Sequence, residues 1–181
     1  MSDGPEGSAT IVGREGPRAR IRAALRDSCT GKARMVLVSG EAGIGKTALL
    51  TEASRQAASG GATTAWATCW DADRAPGYWP WAQVVRQMVD RAKGGVLDGM
   101  SDDDRAELAR LVPELRGGAR IVEEPDSSRA QFRFFDAVAR WLERSARRQP
   151  TVVIFDDLQW ADASSLALFQ FVVRAHRPVP L

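Results

Sequence analysis

The sequence predicts an α/β fold built on a parallel sheet, and three observations predict it. Short continuous apolar runs, MVLV at residues 35–38 and VVIF at 152–155, have the form of strands buried on both faces. Stretches of helical periodicity separate such runs, so strands alternate with helices along the chain. A glycine-rich turn at residues 40–45 joins the first run directly to a helix-forming stretch.

The elements follow in order. Residues 1–10 (MSDGPEGSAT) are Gly- and Ser-rich and are expected to form a disordered tail. From about residue 15 to 29, Ile21, Ala24 and Leu25 recur at helical spacing among arginines, and Gly31 supplies a stop. The run at 35–38 is the first expected strand. Residues 46–58 are strong helix formers with Leu49, Leu50 and Ala53 on one side, ended by Gly60 and Gly61. Residues 63–69 (TTAWATC) read as a second strand. Tyr78, Trp79, Pro80 and Trp81 open a helix that reaches about Ala92. Asp102 begins another, its acidic residues suiting a helix N-terminus. A longer helix over about 128–147 places Phe132, Phe135 and Leu142 on one face, with Phe134, Val138 and Trp141 beside it. The strand at 152–155 and a helix over 164–175 complete the series.

Composition bounds the function. A chain of 181 residues with 44% hydrophobic residues suits one domain with a buried core. No run approaches the roughly 18 to 20 apolar residues needed to cross a bilayer, and the first residues lack a signal-peptide pattern. A cytoplasmic location and no membrane partner are expected. Cys29 and Cys69 fall in different elements without metal-ligand spacing and read as small buried residues. A formal charge of +2 argues against a nucleic-acid surface, and the arginines around the first helix read as a solvated face.

The chemistry is concentrated in two places. Residues 40–47, GEAGIGKT, satisfy G-x-x-x-x-G-K-[ST], the P-loop pattern, with an additional Gly43. Glycines let the backbone turn so that successive N–H groups face phosphate oxygens, and the helix that begins there adds its positive end. Lys46 is expected to reach the β- and γ-phosphates of ATP, and the Thr47 hydroxyl to ligate Mg²⁺. Gly40, Glu41, Ala42, Gly43, Ile44, Gly45, Lys46, Thr47 and Ala48 are the expected nucleotide contacts. The second place is VVIFDD, where Asp156 and Asp157 stand at the C-terminal end of a buried strand, the end at which open α/β sheets bind ligands. Asp156 is expected to serve the Mg²⁺ and Asp157 to orient or deprotonate the attacking water. An Asp-Asp pair is otherwise a common strand end or helix cap.

DDLQWAD at 156–162, IVGRE at 11–15 and the P-loop together resemble the ATPase module of bacterial AAA/STAND regulators, including the large LuxR-type transcriptional activators. The segment CWDADRAPGYWPW at 69–81 is similar to what that module carries after its second strand. The resemblance covers about residues 11–181, so a partial AAA/STAND ATPase domain follows the tail. It implies a P-loop NTPase three-layer α/β/α fold, Ile11, Val12 and Gly13 near the adenine, and Asp157 where AAA proteins usually have the longer glutamate. STAND relatives commonly carry this Asp-Asp form and act as slow switches. Arg14 and Glu15 have an equally simple reading as a surface ion pair capping the first helix.

Other features read more plainly. Trp66, Trp70, Trp79 and Trp81 suit packing against the sheet better than base stacking, because Arg74, the cation between Trp70 and Trp81, is flanked by Asp71 and Asp73. His176 has no nucleophile matched to it, which sets aside a hydrolytic triad.

The resemblance also implies the strand order 5-1-4-3-2, with the fourth strand inserted between the P-loop strand and the Asp-Asp strand. Pro178, Val179, Pro180 and Leu181 look like the approach to that strand, so the sheet is expected to be incomplete at the C-terminus. DNA-binding or sensing segments are expected of sequence outside this chain, with self-association or protein partners left open and no direct DNA contact. The reading is a nucleotide switch that binds ATP and hydrolyses it slowly with Mg²⁺. A non-catalytic interaction fragment and an origin-recognition-like AAA loader are the alternatives.

Overall fold

The computed structural model describes residues 14–70, 76–92, 95–116, 127–175 and 179–181. The expected tail, Ile11, Val12, Gly13 and His176 lie outside the described residues. Helix α1 (Glu15–Cys29) packs on α2 (Lys46–Ser59) through Ile21, Leu49 and Ala53. Strand β1 (Thr63–Thr68) leads to α3 (Trp79–Arg91), and α4 (Asp102–Leu108) and α5 (Ser127–Arg148) precede strand β2 (Thr151–Asp156) and α6 (Ala163–Arg174). Capping marks two of the helix starts. The Ser101 hydroxyl accepts from the Asp104 amide at 3.1 Å at the head of α4, and the Asp162 carboxylate accepts from the Ser165 amide at 2.9 Å at the head of α6. Each cap is worth about 1 kcal/mol.

β1 and β2 are parallel neighbours in the register Thr63 with Thr151 through Thr68 with Asp156. The fold is therefore mixed α/β, as the alternating pattern predicts. Val153 and Phe155 face the main core, where the Trp81 ring of α3 lies tilted against Phe155 at 4.9 Å between ring centroids. By the alternation of the pleat Ile154 points the other way, and it too is buried. Trp81, Val84, Val85 and Met88 of α3 join Phe134, Val138, Trp141 and Leu142 of α5 and Leu168 of α6 in that core. Each large apolar side chain buried there contributes about 1.5 to 3 kcal/mol.

The free edge of β1 is closed by side chains of α3. Gln87 accepts from the Trp66 amide at 3.0 Å and donates its Nε2 to the Trp66 carbonyl. Gln83 makes the equivalent pair with Thr68, donating at 3.0 Å. Two glutamines thus satisfy backbone groups that an adjacent strand would otherwise pair.

The other edge differs. The Thr151 amide donates to the Pro180 carbonyl and the Arg34 amide to the Leu181 carbonyl, each at 2.9 Å, so Pro180 and Leu181 stand between the start of β2 and the start of the 35–38 run. Beyond this point the run has no ladder partner among the described residues. The expected first strand at 35–38 is accordingly not formed as a strand. Met35, Val36 and Leu37 are 58%, 45% and 73% exposed rather than buried on both faces. The reason is that a strand exists only through hydrogen bonding to a neighbour, and an apolar run specifies burial without supplying that neighbour. Cys29 is another correction: it ends α1 in the open, while Cys69 is buried as expected. Phe132 is also 59% exposed, outside the face that buries its helix.

Candidate functional site

The turn at residues 40–45 brings the chain into α2 with two residues in the left-handed region, Gly43 at φ 74° and Gly45 at φ 86°. A side chain at either would be strained, which explains the glycines. Gly45 is the N-cap of α2 and offers no side-chain cap. Its carbonyl accepts the first helical bond, from Leu49 at 3.2 Å. The amides of Lys46, Thr47 and Ala48 donate to no acceptor among the described residues, so three N–H groups and the positive end of a helix of fourteen residues are open together. Lys46 folds back on the same turn, its Nζ donating to the Gly40 and Glu41 carbonyls at 3.0 Å each. Glu41, Ala42 and Ile44 are exposed along the rim.

β2 delivers Asp156 to this turn. The Thr47 hydroxyl donates to Asp156 Oδ2 at 2.9 Å, and Asp156 Oδ1 accepts from the Asp157 amide at 3.0 Å. Asp156 is 7% exposed, so both of its oxygens are engaged as a buried carboxylate requires. Asp157 lies beyond it in a left-handed conformation, φ 56°, with its side chain exposed and Oδ1 accepting from Gln159 Nε2 at 3.1 Å. Cys69, whose amide donates to the Asp156 carbonyl at 2.9 Å, borders the same carboxylates. Burial, with Asp162, Asp157 and Asp156 adding to it, pushes its thiol up to about 11. Cys69 is therefore a neutral neighbour at ordinary pH.

A residue given another role by the sequence pattern also reaches the turn. Arg14, the N-cap of α1, donates from Nη1 to the Gly45 carbonyl at 2.9 Å. The surface ion pair with Glu15 is not formed; Glu15 is exposed in the first turn. Farther along α1, Arg18 Nε donates to Glu52 Oε1 of α2 at 2.9 Å, and Gln56 Nε2 donates to the same oxygen at 2.8 Å. No spacing rule joins Arg14 to Gly45, because the contact exists only once α1 lies on α2. Of the tryptophans, Trp81 is buried and its indole N–H donates to the Ser165 carbonyl at 3.0 Å, while Trp70 is 56% exposed.

The donor atoms suit a hard cation held partly by its substrate. A hydroxyl and a carboxylate oxygen converge at Thr47 and Asp156, both oxygen ligands of the kind Mg²⁺ takes. Among the described residues no group of three or more His, Cys, Asp or Glu residues forms a cage that could hold a metal. Mg²⁺ characteristically binds through one or two protein oxygens and substrate phosphates, and the open amides beside Thr47 are where phosphates would lie. No helix among the described residues is long and apolar enough to cross a membrane.

The family model described as AAA ATPase domain matches residues 10–181. No curated protein and no solved structure matches the chain.

Proposed function

The chain belongs to the AAA ATPase domain family, and from that premise we propose that it binds ATP at residues 40–48 and hydrolyses it slowly with Mg²⁺, as the nucleotide switch of a LuxR-type or other STAND signalling regulator. The observation that carries the reading is the bond from Thr47 to Asp156, which joins the head of α2 to the end of β2. It supports a site in which the phosphate-facing turn and the acidic strand end act together rather than as two separate surface features.

In this reading the amides of Lys46, Thr47 and Ala48 hold phosphate oxygens, and Lys46 exchanges its bonds to the Gly40 and Glu41 carbonyls for the terminal phosphates. Thr47 and Asp156 hold the cation. When bound, Mg²⁺ neutralises charge shared by the β- and γ-phosphates. Asp157 accepts a proton from, or orients, the attacking water, and its reach is one methylene shorter than a glutamate's. Gln159 holds its Oδ1, which leaves Oδ2 to face the water. Ile11, Val12 and Gly13 are proposed to border the adenine on the strength of the family pattern.

Turnover of ATP in the presence and absence of Mg²⁺ tests the proposal, with Lys46→Ala and Asp157→Asn as comparisons. Mg²⁺-dependent hydrolysis in the parent, lost in both variants, is expected. Absence of hydrolysis in the parent would favour a second reading, an interaction fragment that binds nucleotide weakly. The exposed Met35, Val36 and Leu37, which have no ladder partner among the described residues, speak for that alternative, with a protein or a second copy as partner.

A further inference from the structure

We infer that Arg14 is a positioning residue of the phosphate turn, setting the direction of the Lys46 amide through the Gly45 carbonyl; this rests on the nucleotide site proposed above. The guanidinium donates to that carbonyl at 2.9 Å across 31 positions of sequence. It also lies against the glycine itself, for a Cβ at Gly45 would come within 3.3 Å of Nη1 and Nη2. The Gly45 carbonyl and the Lys46 amide belong to one planar trans peptide and point in opposite directions. Holding the carbonyl on Arg14 therefore holds the amide facing away from Arg14.

The need for such a hold is local. Gly45 is the most permissive residue type in a left-handed conformation, so its own backbone does little to fix the peptide that follows it. The Leu49 amide also holds this carbonyl, at 3.2 Å, longer than the bond from Arg14. A second donor from a different helix fixes the plane more firmly than the helix can by itself. Arg14 is supplied on a rigid support, because Arg18 on Glu52 and Ile21 against Leu49 and Ala53 seat α1 on α2.

Charge adds to geometry. Among the described residues Arg14 has no acidic partner, and neither has Lys46, whose bonds go to carbonyls. Two unneutralised cations thus flank the head of α2, where the helix already favours an anion. A polyanionic ligand is the group that would profit from both.

The experiment measures Mg-ATP and Mg-ADP binding by calorimetry, with melting temperatures, for the full chain and for Arg14→Ala, Arg14→Lys and Gln87→Ala. Arg14→Ala is expected to weaken both nucleotides about tenfold or more, as loss of a charged hydrogen bond does, with a melting temperature within about 2 °C of the parent's. Arg14→Lys, which can still donate to the Gly45 carbonyl, is expected to recover most of the affinity. Gln87→Ala loosens the β1 edge without touching α1 or the turn, and should lower the melting temperature while leaving affinity within about twofold. Equal affinity in the parent and Arg14→Ala overturns the inference alone. So does a loss of affinity that follows the loss of melting temperature in Arg14→Ala and Gln87→Ala alike. A parent chain that binds no nucleotide overturns the proposed function and this inference with it.

Discussion

Thr47 and Asp156 stand 109 positions apart in sequence and share one hydrogen bond of 2.9 Å. Replacing the hydroxyl by a methyl group, as in Thr47→Val, removes a donor from a carboxylate that is 7% exposed. The expected cost in folding free energy is about 1 to 3 kcal/mol by urea denaturation. Binding should separate two effects: ATP affinity with Mg²⁺ is expected to fall about tenfold or more, and affinity in EDTA to change little. An equal loss in both conditions would mean that Thr47 acts on the phosphates and not through the cation.

Asp157 carries a left-handed backbone that glycine adopts without strain. Asp157→Gly is therefore expected to melt at or slightly above the parent's temperature while ATP turnover falls at least about tenfold. Lower stability together with unchanged turnover would assign Asp157 a structural task instead.

Gln87 substitutes for a strand at the edge of β1, taking both backbone groups of Trp66. Gln87→Ala leaves those groups without a protein partner, and a loss of about 1 to 3 kcal/mol is expected. Hydrogen exchange at the Trp66 amide, followed by mass spectrometry, should accelerate in the variant more than exchange within α5. Unchanged protection would show that the glutamine contact is incidental.

Cys69 gives a pH-dependent prediction. Burial, assisted by Asp162, Asp157 and Asp156, raises its thiol from 9.0 to about 11 in the folded chain. The folded state therefore holds the proton more tightly than the unfolded state between these values, and stability falls as pH rises from about 9 to 11. Cys69→Ala lacks this contribution. The melting temperature of the parent relative to Cys69→Ala is expected to be constant below pH 9 and to decline above it. Iodoacetamide at neutral pH should label the exposed Cys29 well before Cys69, and the reverse order would contradict the burial described for Cys69.

Much of this architecture was legible because its signals are local. The helical repeat of Ile21, Ala24 and Leu25 marked α1, and the two glycines after residue 59 marked the end of α2, so both helices lie within a residue or so of their expected bounds. VVIF reads as a buried strand, and β2 is a strand there with Ile154 buried and Val152, Val153 and Phe155 half-buried, since it has a neighbour to pair with. MVLV carries the same signal without the neighbour, and the same reasoning failed there. The P-loop pattern and the Asp-Asp pair were each visible, and their adjacency through Thr47 is a tertiary fact that neither motif contains. Arg14 was harder still. Its partner is a backbone carbonyl, which every residue has, so no residue type advertises the contact. Gln83 and Gln87 were likewise invisible as edge caps, because a polar residue on an amphipathic helix ordinarily faces water.

Those two glutamines have a consequence for how copies of this chain can meet. A fibre grown by edge-to-edge pairing needs every molecule to offer two open flanks, one to receive the previous copy and one to accept the next. Gln83 and Gln87 plug the β1 flank, and Pro180 closes only the first step of the β2 flank. A row of copies added edge to edge through this sheet is therefore stopped at the β1 flank, where no backbone donor or acceptor of Trp66 or Thr68 is left to offer.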